Sequence, residues 1–319
     1  MKKVLVLTYG EDPHADSVCK FFDRVGAEYF VVSTEEVPKN YSITFDSESS
    51  LYRISDGSVD VRVDSSWNIW NRRIMNPDTR KGMPKDLASI AIDESEKTWE
   101  GLLFSHKGKV VNSPQNQYHA NNKIDQTRFA LQFGDGIVVP DTLVTNNPLY
   151  VRDFYEKHNG NICFKLQKGA VVDSPEGHLV VYTNRITSGH MENVDLVSQN
   201  PSLFQEYIDK EFEIRIVATD RTSVGVAIHS QESEVSKIDF RRYDFENVPH
   251  RPIELPEHVN VFCSSILRNY GLHFGVLDFI YSKEGEYVFL ELNPNGQWLW
   301  LEHESGVNLT KEVAENLLI

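Results

Sequence analysis

The chain has 319 residues, enough for two or three domains of usual size, and its 40% hydrophobic and 11% aromatic content supports a sizeable core and excludes global disorder. Lys and Arg total 32 against 47 Asp and Glu, a net charge of −15, which argues against a general nucleic-acid binder but leaves room for a local basic pocket. Cys19, Cys163 and Cys263 are widely spaced in apolar surroundings and read as buried free thiols, with no disulfide framework or zinc site. No apolar run approaches the length of about 18 residues that a membrane span needs, and the opening MKKVLVLTYGED is too short for a signal core, so a cytoplasmic setting is expected.

Val4 to Thr8 is a short continuous apolar run, suited to a strand buried on both faces. Val18, Phe21, Phe22 and Val25 recur at helical spacing and Gly26 ends that helix; Tyr29 to Ser33 is the next buried strand. This strand–helix–strand opening indicates an α/β unit with parallel strands. Residues 41–63 alternate and predict antiparallel strands with a turn at Asp56-Gly57, followed by the aromatic segment Trp67 to Ile74. A helix over 84–104 and a strand over 109–112 lead to a boundary at Ser113-Pro114.

The spacing then predicts a helix over 121–133 capped by Asn121 or Asn122, an extended segment over 137–145, and a helix over 150–158. A strand over 161–166 ends near Lys165, a polar loop runs from Gly169 to Gly177, and His178 to Ile186 returns as a strand. Beyond a weak helical stretch near residue 195 come strands at 203–207, 213–219 and 223–230, an amphipathic helix over 259–270 and a last helix over 310–318.

Between those last two helices lies the most informative segment, FGVLDFIYSKEGEYVFLELNPNGQWLWLE, residues 274–302. Val276 to Tyr281 and Glu286 to Leu292 read as two apolar strands joined by a turn at Lys283, Glu284 and Gly285. A turn centred there sets Asp278 opposite Glu291, and side-chain alternation puts Asn293 on the same face as Glu291. Facing carboxylates destabilise a sheet, and a buried unpaired carboxylate is expensive. A hard divalent cation removes both problems, since Mg2+ takes Asp, Glu and Asn oxygens and completes its octahedron with phosphate oxygens. The competing assignment makes Asp278 a sheet-rim acid and pairs Glu291 with a Lys or Arg.

Ahead of this hairpin stand Lys123 near a helix start, Lys165 at a strand end, Gln205-Glu206-Tyr207-Ile208, and Arg215 within Glu213-Ile214-Arg215. Taken in order with ELNPNG, the set resembles the ATP-grasp superfamily over nearly the whole chain. The run Gly296 to Glu302, the segments Glu213-Ile214-Arg215 and Asp239-Phe240-Arg241, and Trp70-Asn71-Arg72-Arg73 are similar to one branch, the microviridin-type (graspetide) synthetases, although a tyrosine is more typical than Asn71. The resemblance implies an ATP-grasp fold of α/β class: an N-terminal parallel-sheet pre-ATP-grasp domain (1–115), a small α+β lid domain (116–204) and a C-terminal mixed or antiparallel sheet domain (205–319).

It further implies ATP and Mg2+ as cofactors. Lys123 and Lys165 would contact the phosphates. Gln205, Glu206, Tyr207 and Ile208 would form the adenine hinge, with Glu213 also on the nucleotide. Asp278, Glu291 and Asn293 would hold Mg2+, and Arg215 would sit beside the γ-phosphate and the reacting carboxylate. Arg241, with Asp239 nearby, would grip an acidic side chain; without the resemblance, Arg241-Arg242 reads as a solvent-facing basic pair on a loop. The implied activity phosphorylates an Asp or Glu side chain of a ribosomal precursor peptide and closes an ester ring with Thr or Ser, or an amide ring with Lys. The implied partner is that peptide, with an acidic Thr/Glu-rich core and a leader docking on His178 to Ile186 and the stretch after Ser188; a homodimer rests on family analogy. The alternatives are an ATP-grasp ligase adding an amino acid to a peptide or small molecule, and a non-catalytic peptide-binding module. His119 and His190 receive no role.

Overall fold

A computed structural model describes residues 2–319 apart from 78–82, 135, 169–170, 175–176, 181 and 243. Of the loop expected from Gly169 to Gly177, residues 169–170 and 175–176 fall outside the described residues, and Val171–Ser174 is a strand rather than a loop. The first sheet is four-stranded and parallel, in the order Tyr29–Ser33, Lys3–Thr8, Trp67–Asn71, Val110–Val111. Val4, Leu5, Val6 and Leu7 are all 0% exposed because both faces are covered. Val4 and Val6 meet the helices Pro13–Val25 and Leu309–Leu317, whereas Leu5 and Leu7 meet a three-stranded antiparallel sheet (Ser42–Asp46, Leu51–Ser55, Asp60–Val63) and the helix Lys85–Ser105.

A second four-stranded sheet orders Asn184–Arg185, Ile162–Lys165, Ser202–Glu206 and Thr142–Thr145, and packs on the helix Pro148–Lys157. The single strand expected over 178–186 is instead two, Gly177–Val180 paired with Val171–Ser174, and Asn184–Arg185 on the larger sheet. The third sheet is six-stranded: His250–Ile253, Ser223–Ile228, Lys210–Thr219, Phe274–Ser282, Tyr287–Asn293, Ile137–Val138. Ile137–Val138 thus joins this last sheet, and the helix Lys123–Phe133 packs on it, although a boundary at residue 116 assigns both to the lid. The Ser113-Pro114 pair does not open a linker: Ser113 Oγ accepts from Asn116 N at 3.3 Å and caps the helix Pro114–Ala120. The strand His250–Ile253 and the helix Leu299–Ser305 carry too weak a periodicity to be read from sequence.

In the strand Lys210–Thr219, Ile214, Ile216 and Ala218 are buried against the helix Glu257–Asn269, so Glu213, Arg215 and Val217 face the other way. On that side a single core joins the first and third sheets, from Val4, Val6 and Trp70 to Val217, Val276, Trp298 and Leu301. Polar side chains fix this joint. Asn112 Nδ2 donates to the carbonyls of Phe274 and Pro294, each at 2.7 Å, while its Oδ1 accepts from His273 N at 2.8 Å. Asn71, where a tyrosine is more typical, donates to Asn112 O at 3.0 Å.

Arg72 is the largest fully buried charged residue, 1% exposed, with Nε 3.1 Å from Asp12 Oδ2 and Nη1 donating to Asn295 Oδ1 at 3.1 Å. His14 Nε2 accepts from Trp298 N and Leu299 N, both at 3.3 Å, and so caps the helix Leu299–Ser305. Burial opposes ionisation of Asp12, but hydrogen bonds from His14 and Thr8 and the Arg72 charge outweigh it and hold the carboxyl at about 2. A folded pKa below the unfolded one adds stability above pH 4 that is lost as pH falls through 2. Asp12 therefore contributes about 2 kcal/mol at neutral pH. In urea unfolding at pH 5 and pH 2.5, Asp12→Asn should be less stable than wild type by about that amount at the higher pH and by less than half of it at the lower.

Candidate active site

The hairpin forms as its pattern predicts: Phe274–Ser282 pairs with Tyr287–Asn293, and Asp278 stands opposite Glu291. The turn passes through Gly285 at φ 82°, a conformation glycine adopts without strain. A register shift after Asp278 re-aims the strand at this point, as bulges do beside active sites. Asn293 Nδ2 donates to Asp278 Oδ2 at 3.1 Å, so all three candidate metal ligands share one face.

Each carboxylate also meets a cation. Arg215 Nη1 donates to both Asp278 oxygens, at 2.7 and 3.0 Å, and Lys123 Nζ lies 2.7 Å from Glu291 Oε2. The basic residues expected to hold phosphate thus neutralise the acids expected to hold metal, and the salt-bridge assignment for Glu291 describes this structure. Among the described residues no group of three or more His, Cys, Asp and Glu side chains forms a metal cluster. The hard oxygens of Asp278, Glu291 and Asn293 fit Mg2+ chemically, and the cations already beside them show that this face demands positive charge. Burial, and then the facing Glu291, push Asp278 up against the pull of Arg215. Burial also opposes ionisation of Glu291, but Lys123, Arg241 and Lys165 outweigh it and hold that carboxyl at about 2.

A cavity of about 850 Å3 opens on this face between the second and third sheets. Lys123 reaches it from the first turn of a helix capped by Asn122, and its Nζ also donates to Leu166 O at 3.0 Å. Lys165, at the end of its strand, donates to Gln205 Oε1 at 2.5 Å, and burial lowers its pKa. Gln205 Nε2 is anchored on Thr142 Oγ1 at 3.0 Å. Glu206 N donates to Asp141 O and Tyr207 N to Asn161 O, each at 2.9 Å, while Ile208 N–H has no partner among the described residues, as a hinge that reads a ligand through its backbone requires. Glu213 lies at the floor with Lys210 Nζ at 2.5 Å and Ser230 Oγ also donating to it, and burial raises its pKa.

Asp239 and Arg241 complete the wall: Arg241 donates through Nε and Nη2 to the two Asp239 oxygens at 2.8 and 2.6 Å. Asp239 therefore holds Arg241 in place, although the arginine side chain stays 42% exposed. Hydrogen bonding to Asp239 raises the Arg241 pKa further. Thr183 N donates to Asp239 Oδ2 at 3.0 Å and Arg242 Nη2 to Asn184 Oδ1 at 2.9 Å, so the second sheet is tied to this turn. Arg215 is absent from the large cavity and lines an adjoining one of about 280 Å3, which also touches Arg241, Asp278, Glu291 and Asn293.

Four further contributors receive no role from the sequence, although Arg72 and Gln297 lie in segments that carry the resemblance. Gln126, one turn past Lys123, accepts from Leu292 N and donates to Leu292 O, both at 2.8 Å, which ties that helix to the hairpin. Lys210 becomes visible only once Glu213 is known to face inward. The Gln297 carbonyl accepts from Arg215 Nη2 at 2.9 Å, and Arg72 fixes Asn295 two residues earlier. His119 is structural, with Nε2 3.2 Å from Asp125 and its ring edge-on to Tyr270. His190 closes a capping box with Thr187.

A nucleotide-sized cleft between a small sheet that carries Lys165 and a larger, mainly antiparallel one that carries the facing acids with Lys123 beside them defines an ATP-grasp architecture. Residues 3–118 match the family model described as the MvdD pre-ATP grasp domain. A RiPP-associated ATP-grasp ligase of Chryseobacterium gregarium, solved with ADP and a leader and core peptide, is similar at TM-score 0.89 and 26% identity over 100% of this chain and 96% of that one. The macrocyclase MdnB from Microcystis aeruginosa MRC is similar at TM-score 0.79 and 28% identity, with 100% of both chains covered. The macrocyclase MdnC of the same organism, bound with precursor peptide MdnA, shares the fold at TM-score 0.85 and 24% identity over 99% of each chain. Comparison with curated protein sequences gives no match. Residues 3–118 thus match a pre-ATP grasp domain, and the chain as a whole has the fold of RiPP-associated ATP-grasp ligases and macrocyclases.

Proposed function

We propose that the protein uses ATP and Mg2+ to cyclise a ribosomal precursor peptide. A Glu or Asp side-chain carboxylate of the peptide attacks the γ-phosphorus of ATP; the bond to the bridging oxygen breaks, and an acyl phosphate and ADP form. A Thr or Ser hydroxyl, or a Lys amine, of the same peptide then attacks the acyl carbon, loses its proton and expels phosphate, closing an ester or amide. The observation that carries this reading is the junction of the two cavities at Asp278, Glu291 and Asn293, where a nucleotide-sized space meets a space lined by two arginines.

In this assignment Lys123 and Lys165 leave their protein partners for phosphate oxygens, and Gln205 through Ile208 hold the adenine. Arg215 faces the carboxylate as it is phosphorylated and then the oxyanion of the second step, where fixed positive charge acts without reorganisation. Asp278, Glu291 and Asn293 would hold Mg2+, which would supply charge neutralisation at the transferring phosphoryl group. Arg241, oriented by Asp239, binds peptide carboxylates. The ties from Thr183 and Asn184 to Asp239 and Arg242 support leader docking on His178 to Ile186, because that segment connects directly to the acid-binding turn. Among the described residues no helix is long and apolar enough to cross a membrane, and the free cysteines suit the cytoplasm.

The test is incubation with an acidic, Thr-rich precursor peptide, ATP and Mg2+, followed by mass spectrometry. Products lighter by one water per ring are expected. Products heavier by an amino-acid residue would establish the ligase alternative, and ATP binding without ADP release would make the protein a binding module.

A further inference from the structure

The smaller cavity has two kinds of wall. One is polar, with Arg215 and Arg241 beside the metal-face acids Asp278 and Glu291; the other is aromatic, from Phe240 and Trp300. Phe240 immediately precedes Arg241 on one short turn, and Trp300 lies in the first turn of the helix Leu299–Ser305. The two rings stack with centroids 6.1 Å apart at 26°. Phe245 and His250 back the indole at 6.0 and 5.7 Å, so its position is set on several sides. The Arg215 guanidinium lies 5.8 Å from the same indole. Trp67, Trp70, Trp99 and Trp298 are at most 5% exposed, whereas Trp300 is only half-buried and faces the cavity. Most tryptophans belong to a core; one left at the rim of a charged pocket presents an apolar face to whatever enters.

We propose that Phe240 and Trp300 form a selectivity site for the residue adjoining the acid that reacts, and that it takes a bulky apolar or aromatic side chain. The proposal rests on the macrocyclase reading, which brings an acidic peptide to Arg241 and Arg215. An acid engaged by those arginines carries its backbone neighbours along the same small cavity, where Phe240 and Trp300 supply the aromatic part of the lining. A glycine or polar neighbour leaves that surface wet, whereas a Phe, Leu or Ile neighbour covers it. The occupant is therefore a peptide segment pairing a carboxylate with an adjacent apolar residue, matched by a pocket that pairs a cation with an aromatic face.

The test uses three capped dipeptides, N-acetyl-Glu-Phe-amide, N-acetyl-Glu-Gly-amide and N-acetyl-Gln-Phe-amide, titrated by saturation-transfer NMR in the presence of ADP and Mg2+. Wild type should bind Glu-Phe about three- to tenfold more tightly than Glu-Gly, the range an aromatic contact supplies, and Gln-Phe should bind weakest. Trp300→Ala should bring the Glu-Phe to Glu-Gly ratio close to one, Trp300→Phe should retain most of it, and Phe240→Ala should reduce it independently. In wild type, Glu-Phe should also quench the emission of the one accessible tryptophan. No preference in wild type, or an unchanged preference in Trp300→Ala, would overturn the aromatic site while leaving carboxylate-dependent binding and the macrocyclase reading in place. Binding of Gln-Phe equal to that of Glu-Phe, or no binding by any of the three, would overturn both.

Discussion

Glu291→Gln should lower ADP formation at least about 10³-fold, with the fold retained and nucleotide still bound. Gln keeps the shape of Glu and an acceptor oxygen but removes the charge that balances a divalent cation. Lys123 then loses its 2.7 Å partner at a site only partly exposed, so the lysine is left to the Leu166 carbonyl. That ion pair is modest in energy because both partners touch solvent. Removing one of two facing carboxylates also relieves repulsion with Asp278, so the thermal midpoint should move by no more than a few degrees, about 1 kcal/mol or less. Asp278→Asn should have the same effect on turnover. The measurement is ADP release with peptide, beside an independent nucleotide affinity. Turnover within tenfold of wild type in both variants would remove the metal from this face.

The second large effect is on stability. Arg215→Met should destabilise the protein by about 3–5 kcal/mol, because it leaves the 5%-exposed Asp278 buried, without its bidentate partner, and opposite Glu291. Turnover should fall with it, since Arg215 is the only cation of the set that lines just the smaller cavity. Two controls separate these causes. Adding Asp278→Asn to Arg215→Met should restore much of the stability, because no buried charge then lacks a partner. Mg2+ should raise the unfolding midpoint of Arg215→Met more than that of wild type, since the cation takes over the neutralisation that Arg215 performs. If denaturant unfolding showed less than about 1 kcal/mol of loss, Asp278 would be held by partners other than Arg215.

The hairpin was readable because its information is local. Alternation and a glycine turn set the register, and register alone puts Asp278 opposite Glu291. The first strand and its flanking helix were readable for the same reason, from a continuous apolar run and helical spacing. The helix Pro114–Ala120 was not: seven residues of QNQYH character have little amphipathic pattern, and a Ser-Pro pair serves equally as a boundary or as a cap and first turn. Arg241-Arg242 was ambiguous because a basic dipeptide has no preferred environment until Asp239, two residues away, folds back to chelate it.

Residue types in order along the chain thus carry the α/β start, the acid-bearing hairpin and the family resemblance, all of which follow from patterns within one element or from short spacings. Which cation meets which acid, where Arg215 points, and how the first sheet reaches the site depend on partners far apart in sequence. Arg72 reaches Asn295 across 223 positions and Asn112 reaches Pro294 across 182. Such contacts leave no periodic trace, because a buried polar side chain is stable wherever the folded chain supplies its hydrogen bonds, and that supply exists only once the sheets have packed.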